Sequence, residues 1–278
     1  MSNVSIVTDS TAFLDKETLE KYKIEVVPLY INFPDTVIKE GTIDNDTFLQ
    51  KLKTSPKLPF TSQPAPGEFS EVFQKLLAEG KEVVAILISS VMSGTVENAN
   101  AAVKLVKSDK ISVVDSLTTS GGLAMLVKEA AKDAQEGKSR EEIVSRLERL
   151  KEHQRLLFIP DTLEYLRRGG RIGGAQALLG TILQIKPILH FYKGRVEVFE
   201  KVRTMKKAME RMLQELPEST EGLQVAVLHA EAPQRAEKMI ELVQDRLPGL
   251  EVKLFELSPV ITTHVGPGVV SLTFMQEV

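Results

Sequence analysis

The sequence has no cysteine and no tryptophan, and aromatic residues make up only 5% of it. Without thiols there are no disulfides, no thiolate metal sites and no cysteine nucleophile, and nothing points to an oxidising compartment. Few aromatics and a net charge of -3, with both signs interspersed, argue against the basic, stacking surface used to bind nucleic acid. No apolar run is long enough to span a membrane. The start, MSNVSIVTDS, passes into a strand-like segment without the basic and apolar regions of a signal peptide. The expectation is a soluble cytoplasmic protein with no stable membrane insertion.

Catalytic signatures are also missing. There is no HExxH, no phosphate loop ending in GK[ST], no GxSxG elbow and no GxGxxG after the first strand. The four histidines, His153, His190, His229 and His264, are too scattered for a metal cluster to be read from their spacing. No metal and no cofactor is therefore expected.

What is present reads as an α/β chain whose 278 residues can bury one large core or two ordinary ones. In the first half the strand-like runs VSIVTD, KIEVVPLYINF, EVVAILIS and ISVVD alternate with amphipathic segments. This predicts an N-terminal, mainly parallel sheet flanked by helices. A helix follows Pro66, with Phe69, Val72, Phe73, Leu76 and Leu77 on one face and Gly80 beyond its end. Another starts at Ser139, which Glu142 completes as a capping box, and buries Ile143, Leu147 and Leu150.

From Leu156 the pattern changes. A hairpin, KPILHFYKGRVEVFEKV, turns at Lys193 and Gly194, and two helix and strand pairs precede a last strand, GVVSLTFM. Residues 155–278 are expected to form a smaller C-terminal α+β domain with a mostly antiparallel sheet of about six strands, packed against residues 1–154. Between the halves of this pattern, IGGAQALLGTILQIKPIL reads as a helix apolar round most of its circumference, with Ala175, Ala177, Leu178, Leu179, Ile182, Leu183 and Ile185. Such a helix is a plain core element or lines an apolar cavity.

Hydroxyl-rich turns follow the strands of the parallel sheet, on the edge where open α/β sheets bind ligands: TDST, SSVMSGT and DSLTTSGG. Ser93 and Gly94, before VENANAAVKLV, make either an anion cradle at a helix start or simply a serine cap and a turn. Thr61 and Ser62, in FTSQPAPGEF, are polar groups in an apolar setting or bind their own backbone. Asp9 and Asp115 either meet at the sheet edge, as an acid and base pair or to hold a magnesium ion, or each organises the turn after its strand. His264 is followed by GPG, which lets backbone approach a ligand or another segment. Its imidazole can hydrogen-bond an acid or be a satisfied structural group. Strands hold His190 and His229.

The set TDST, TSQPAPGEF, ISSVMSGT, DS with SGG, LEYLRRGGRIGG, KPIL and THVGPG, in this order over the whole chain, resembles the DegV family of bacterial fatty-acid-binding proteins. The resemblance implies two domains with a long-chain fatty acid such as palmitate (hexadecanoate) between them. Its carboxylate would meet Thr61, Ser93, the Gly94 N–H and His264, and Leu178, Ile182, Ile185 and Leu189 would line the acyl tunnel. It also implies a carrier without catalytic groups, the binding subunit of a fatty-acid kinase whose ATP-binding subunit phosphorylates the presented carboxylate. Arg167, Arg168 and Arg171 would then face that partner, or form an ordinary solvated cluster. The alternative reading is a hydrolase or phosphotransferase using Asp9, Ser93 and His264.

Overall fold

The computed structural model describes residues 3–180 and 185–277. The first half runs β1 (Val4–Asp9), α1 (Lys16–Tyr22), β2 (Glu25–Val27), β3 (Tyr30–Asn32), β4 (Val37–Lys39), α2 (Asn45–Thr54) and β5 (Phe60–Ser62). It continues with α3 (Pro66–Ala78), β6 (Glu82–Leu87), α4 (Thr95–Val106), β7 (Ile111–Asp115), α5 (Ser120–Gln135) and α6 (Arg140–Leu150). The second half holds β8 (Gln154–Ile159), α7 (Glu164–Arg168), β9 (Lys186–Tyr192), β10 (Arg195–Val202), α8 (Met205–Leu213) and β11 (Leu223–Ala230). It ends with α9 (Pro233–Arg246), β12 (Val252–Glu256), α10 (Pro259–Val265) and β13 (Val269–Gln276).

The parallel sheet expected from the alternating pattern is present, in the order β2-β1-β6-β7. The later strands form one six-stranded sheet, β10-β9-β8-β13-β11-β12, antiparallel throughout except for the β11–β12 pair. KIEVVPLYINF, read as one strand, is two. Pro28 has no N–H for a ladder and stops β2 after Val27, and β3 leaves to form a small antiparallel sheet, β4-β3-β5.

Local signals held where they act over a few residues. Phe69, Phe73 and Leu76 of α3 are buried, and Gly80 follows with a φ of 77°. The Ser139 and Glu142 side chains each bond the other's backbone N–H, and Ile143, Leu147 and Leu150 are buried. Replacing Ser139 with Ala should cost about 1 kcal/mol, read from urea unfolding of the two proteins. The β9–β10 turn takes positive φ at Lys193 and Gly194, 48° and 81°, the twist a tight hairpin needs.

The apolar run 172–185 departs from expectation. Its described part is a short 3-10 turn, Gly173–Leu178, in place of an α-helix. Gly173 has a φ of 51°, and a Cβ there would lie 2.1 Å from the Val196 carbonyl oxygen. The chain is pressed against β10 at that point, and the positive φ of Gly173 keeps it out of the right-handed helical region.

The two halves share one core. Ile6, Ile86, Leu126, Phe158, Leu189 and Leu228 belong to a single buried cluster that draws on both large sheets. Helix α5 lies between them, packing on β1 and β6 on one side and on β8, β11 and β13 on the other. The β9–β10 turn reaches back to the first half, where Ser89 Oγ donates to the Gly194 carbonyl at 2.6 Å. Among the described residues no helix is long and apolar enough to cross a membrane.

Candidate functional site

Three chain segments far apart in sequence converge beside the parallel sheet. The first is β5, where Thr61 stands opposite the buried Ile31 and on the same face. The second is the turn after β6, held by backbone bonds from Met92 and Ser93 to the Ser89 carbonyl and by Asp115, which accepts from the Ser90 N–H and Oγ. The third is α10. The SSVMSGT and TSQPAPGEF segments are tied together: Asn98 Nδ2 donates to the Pro64 carbonyl at 2.8 Å, and Gln63 lies so close to Gly94 that a Cβ there would be 2.8 Å from its amide nitrogen.

His264 sits in the last turn of α10. Ser258 caps this helix, Pro259 opens it and Gly266, at a φ of 77°, ends it. Glu40 anchors its start: Oε1 accepts from the Val260 N–H at 2.8 Å and Oε2 from Ser10 Oγ at 2.5 Å. At the other end His264 Nε2 and Thr61 Oγ1 share a hydrogen bond of 2.7 Å. Nδ1 is buried without a partner among the described residues, against Gly169, where a Cβ would come within 2.4 Å of it. Burial, with the Arg171 charge adding to it, pushes the imidazole down to about 4. His264 is therefore neutral at neutral pH.

Beside this pair lies a mostly apolar cavity bounded by Leu156, Phe158, Leu166, Val196, Leu257 and Val269, with Thr61, Ser93, Arg171 and His264 among its polar lining. Ser93, Arg171, Met92 and Val196 also border an open recess that includes Gly94, Glu97 and Arg195. These four residues are common to the walls of the cavity and of the recess.

Of the residues expected at a head-group site, Thr61, Ser93 and His264 share the cavity, and Gly94 borders the neighbouring recess. Ser93 is not the cap of α4. The N-cap is Gly94, and Ser93 Oγ bonds Thr95 Oγ1 at 2.8 Å instead. Gly94 already has a nearly helical backbone, so Ser93 stands one position outside the helix. Of the residues expected to line a tunnel, Leu178 and Leu189 are buried in the same shared core that supplies the apolar cavity wall and Ile185 packs against it, but none of the three borders the cavity. Ile182 lies outside the described residues.

Arg167 and Arg168 are exposed and pair with Glu164, which they hold down to about 2. Arg171 departs from that surface. Its guanidinium turns inward, donating to the Gly169 carbonyl at 2.7 Å and the Met92 carbonyl at 3.1 Å, and it lines the cavity. Asp9 and Asp115 do not form an acid and base pair. Asp9 is fully buried and accepts from the Thr11 N–H, the Thr11 hydroxyl and the Ile88 N–H. Asp115 holds Ser90 and the Leu117 N–H. Each organises the turn after its own strand, so Asp9 is not available to orient His264.

The DegV model (uncharacterised protein, DegV family) matches residues 3–277. The chain belongs to the DegV family. A DegV domain-containing protein of Listeria innocua is 38% identical, over 98% of this chain and 98% of its own. Two solved structures share the fold. A DegV family protein from Thermus thermophilus, described as binding fatty acid, superposes with a TM-score of 0.93 at 34% identity, covering 100% of both chains. A stearic acid-binding protein from Eubacterium ventriosum superposes with a TM-score of 0.87 at 28% identity, over 99% of this chain and 98% of that one. Both of these structures are described as binding fatty acid.

Proposed function

We propose that this DegV protein binds a long-chain fatty acid between residues 1–154 and residues 155–278, which act as two domains, with the carboxylate at Thr61, Ser93, the Gly94 N–H and His264. The observation that carries the reading is a largely apolar cavity with the Thr61–His264 pair in its lining, which shares Ser93 and Arg171 with an open recess. The fatty acids bound by structures of the same fold support it.

The energetics divide the work between the two ends of the ligand. At about 0.8 kcal/mol per buried methylene, a chain of roughly sixteen carbons gains on the order of 10 kcal/mol. The tail supplies affinity. A desolvated carboxylate costs several kcal/mol unless donors replace its water, which two hydroxyls, an N–H and a neutral imidazole would do. Arg171, half-buried beside them, adds the positive charge that the turns themselves lack. The acyl lining is the cavity set of Leu156, Phe158, Leu166, Val196, Leu257 and Val269.

With the carboxylate beside that recess, the chain is suited to present it to a separate ATP-binding kinase subunit, and the exposed Arg167 and Arg168 border that face. A carrier of this kind needs no catalytic group of its own. The hydrolase alternative has no support in the geometry: the carboxylate of Asp9 is occupied elsewhere, and His264 Nδ1 has no acid to orient it.

Replacing Ser93 with Ala, or Thr61 with Val, should weaken palmitate binding by about 1 to 3 kcal/mol each, the value of a hydrogen bond to a charged group. Calorimetry on delipidated protein reads this directly. Palmitate affinity unchanged in both variants would move the carboxylate away from this end of the cavity. Hydrolysis of an acyl ester by the purified protein, lost in Ser93→Ala, would favour the enzyme.

A further inference from the structure

The cavity wall carries hydroxyls that the carboxylate site does not use. Thr119 and Ser120 both line it, are only 5% and 3% exposed, and have no hydrogen-bond partner for either Oγ atom among the described residues. Ser271, 3% exposed, lines the same cavity from β13, directly beside Phe158 in the sheet register. The neighbouring hydroxyls of the same turns are satisfied: Ser116 Oγ donates to the Thr118 carbonyl and Ser89 Oγ to Gly194. Thr118 is the third unpartnered hydroxyl of this loop, but it sits with Gln154 beside Gly122 and does not border the cavity.

A buried hydroxyl without a partner is unfavourable, and a plain hydrocarbon chain packed against it leaves it so. Alanine and valine would suit a purely apolar tunnel better. Thr119 and Ser120 also stand at the start of α5, a helix of 16 residues that no side chain caps. Its positive end and the two hydroxyls point to the same kind of group, an oxygen with lone pairs to share. Each hydroxyl both donates and accepts, so a hydroxyl or a ketone oxygen fits equally. Ser120 keeps this position in a left-handed backbone conformation, with a φ of 51°.

Building on the fatty-acid reading, we infer that Thr119 and Ser120 form a second polar subsite within the cavity, which takes an oxygen carried on the acyl chain. Hydroxy and oxo long-chain acids are then ligands of this protein alongside plain ones. The subsite sets a preference among acids by the position of that oxygen, since only one stretch of the chain lies against the start of α5.

The test is titration of delipidated protein with stearate and with a series of hydroxystearates bearing the hydroxyl at successive carbons. The same titrations are run on Thr119→Val and Ser120→Ala, with thermal melts to confirm folding. At least one mid-chain hydroxystearate should bind as tightly as stearate or more tightly. Its affinity relative to stearate should fall about tenfold when both hydroxyls are removed. Tight stearate binding with every hydroxystearate at least about tenfold weaker on the unmodified protein overturns the subsite and leaves the carrier standing. A ratio unchanged by the substitutions overturns it as well. If no acid of the series binds, stearate included, the subsite and the fatty-acid reading both fall.

Discussion

Between pH 4.5 and 7 the Glu40→Gln protein should gain about 3 kcal/mol of stability relative to the parent, and between pH 4 and 6.5 the His264→Gln protein should lose about as much. Both groups serve α10, one at each end. Glu40 is 4% exposed, and burial pushes its carboxyl up to about 7, with the charge of Asp9 nearby acting in the same direction. In the unfolded chain it releases its proton near 4.5. As pH rises through this window the unfolded state gives up the proton first, so folding becomes less favourable. His264 behaves oppositely. Folded, it titrates near 4 and unfolded near 6.5, so the unfolded state holds more protons in between and stability rises with pH. The two contributions nearly cancel in the intact protein, which is why single substitutions should expose them. Urea unfolding across this range checks both, with parent minus variant as the readout. A difference that stays flat with pH for either substitution would mean that the group is not held in the protonation state its burial implies. A fatty-acid carboxylate at Thr61 and His264 should raise the imidazole again, so binding in the same window takes up protons.

Arg146→Met should destabilise the fold by about 3 to 5 kcal/mol, the cost of breaking a buried charge cluster by removing one member. From α6, its guanidinium bonds Glu129 Oε2 and Asp133 Oδ1 on α5, each at 2.8 Å, and Glu277 Oε1 after β13 at 2.8 Å. Glu129 and Asp133 are 6% and 2% exposed, and Glu129 also accepts from Gln224 of β11. The cluster thus joins α5 and α6 to the six-stranded sheet. Without Arg146 the two carboxylates keep Lys132 and Lys138, both half-exposed, as their cationic partners. Urea unfolding provides the measurement, and a loss below about 1 kcal/mol would show that the two lysines suffice.

Much of the fold was legible because the relevant forces are local. Alternating apolar runs, the Ser139–Glu142 box, the Lys193–Gly194 turn and the proline at the start of α3 each act within a few residues, and each appears where the pattern put it. The change of sheet at β8 also follows from a change of pattern around residue 154. Two local signals were there to be used. Pro28 should have split the second strand, and Ser258 with Pro259 is an ordinary helix start that leads to His264.

The family itself was legible from seven short motifs in order, none of them specific alone. By itself, then, the sequence determined the alternation of elements, their caps and turns, and the family. Only the tertiary structure decided which side chains surround the cavity. Leu178, Leu189, Phe158 and Val269 all belong to the shared core, yet only Phe158 and Val269 also border the cavity, a difference that no local pattern carries. Packing likewise turned Arg171 inward and left Thr119 and Ser120 facing the cavity without partners among the described residues. The reason is distance along the chain. Helix and strand patterns report the few residues on either side, whereas the Thr61–His264 contact joins positions 203 residues apart and exists only once both halves have packed around α5.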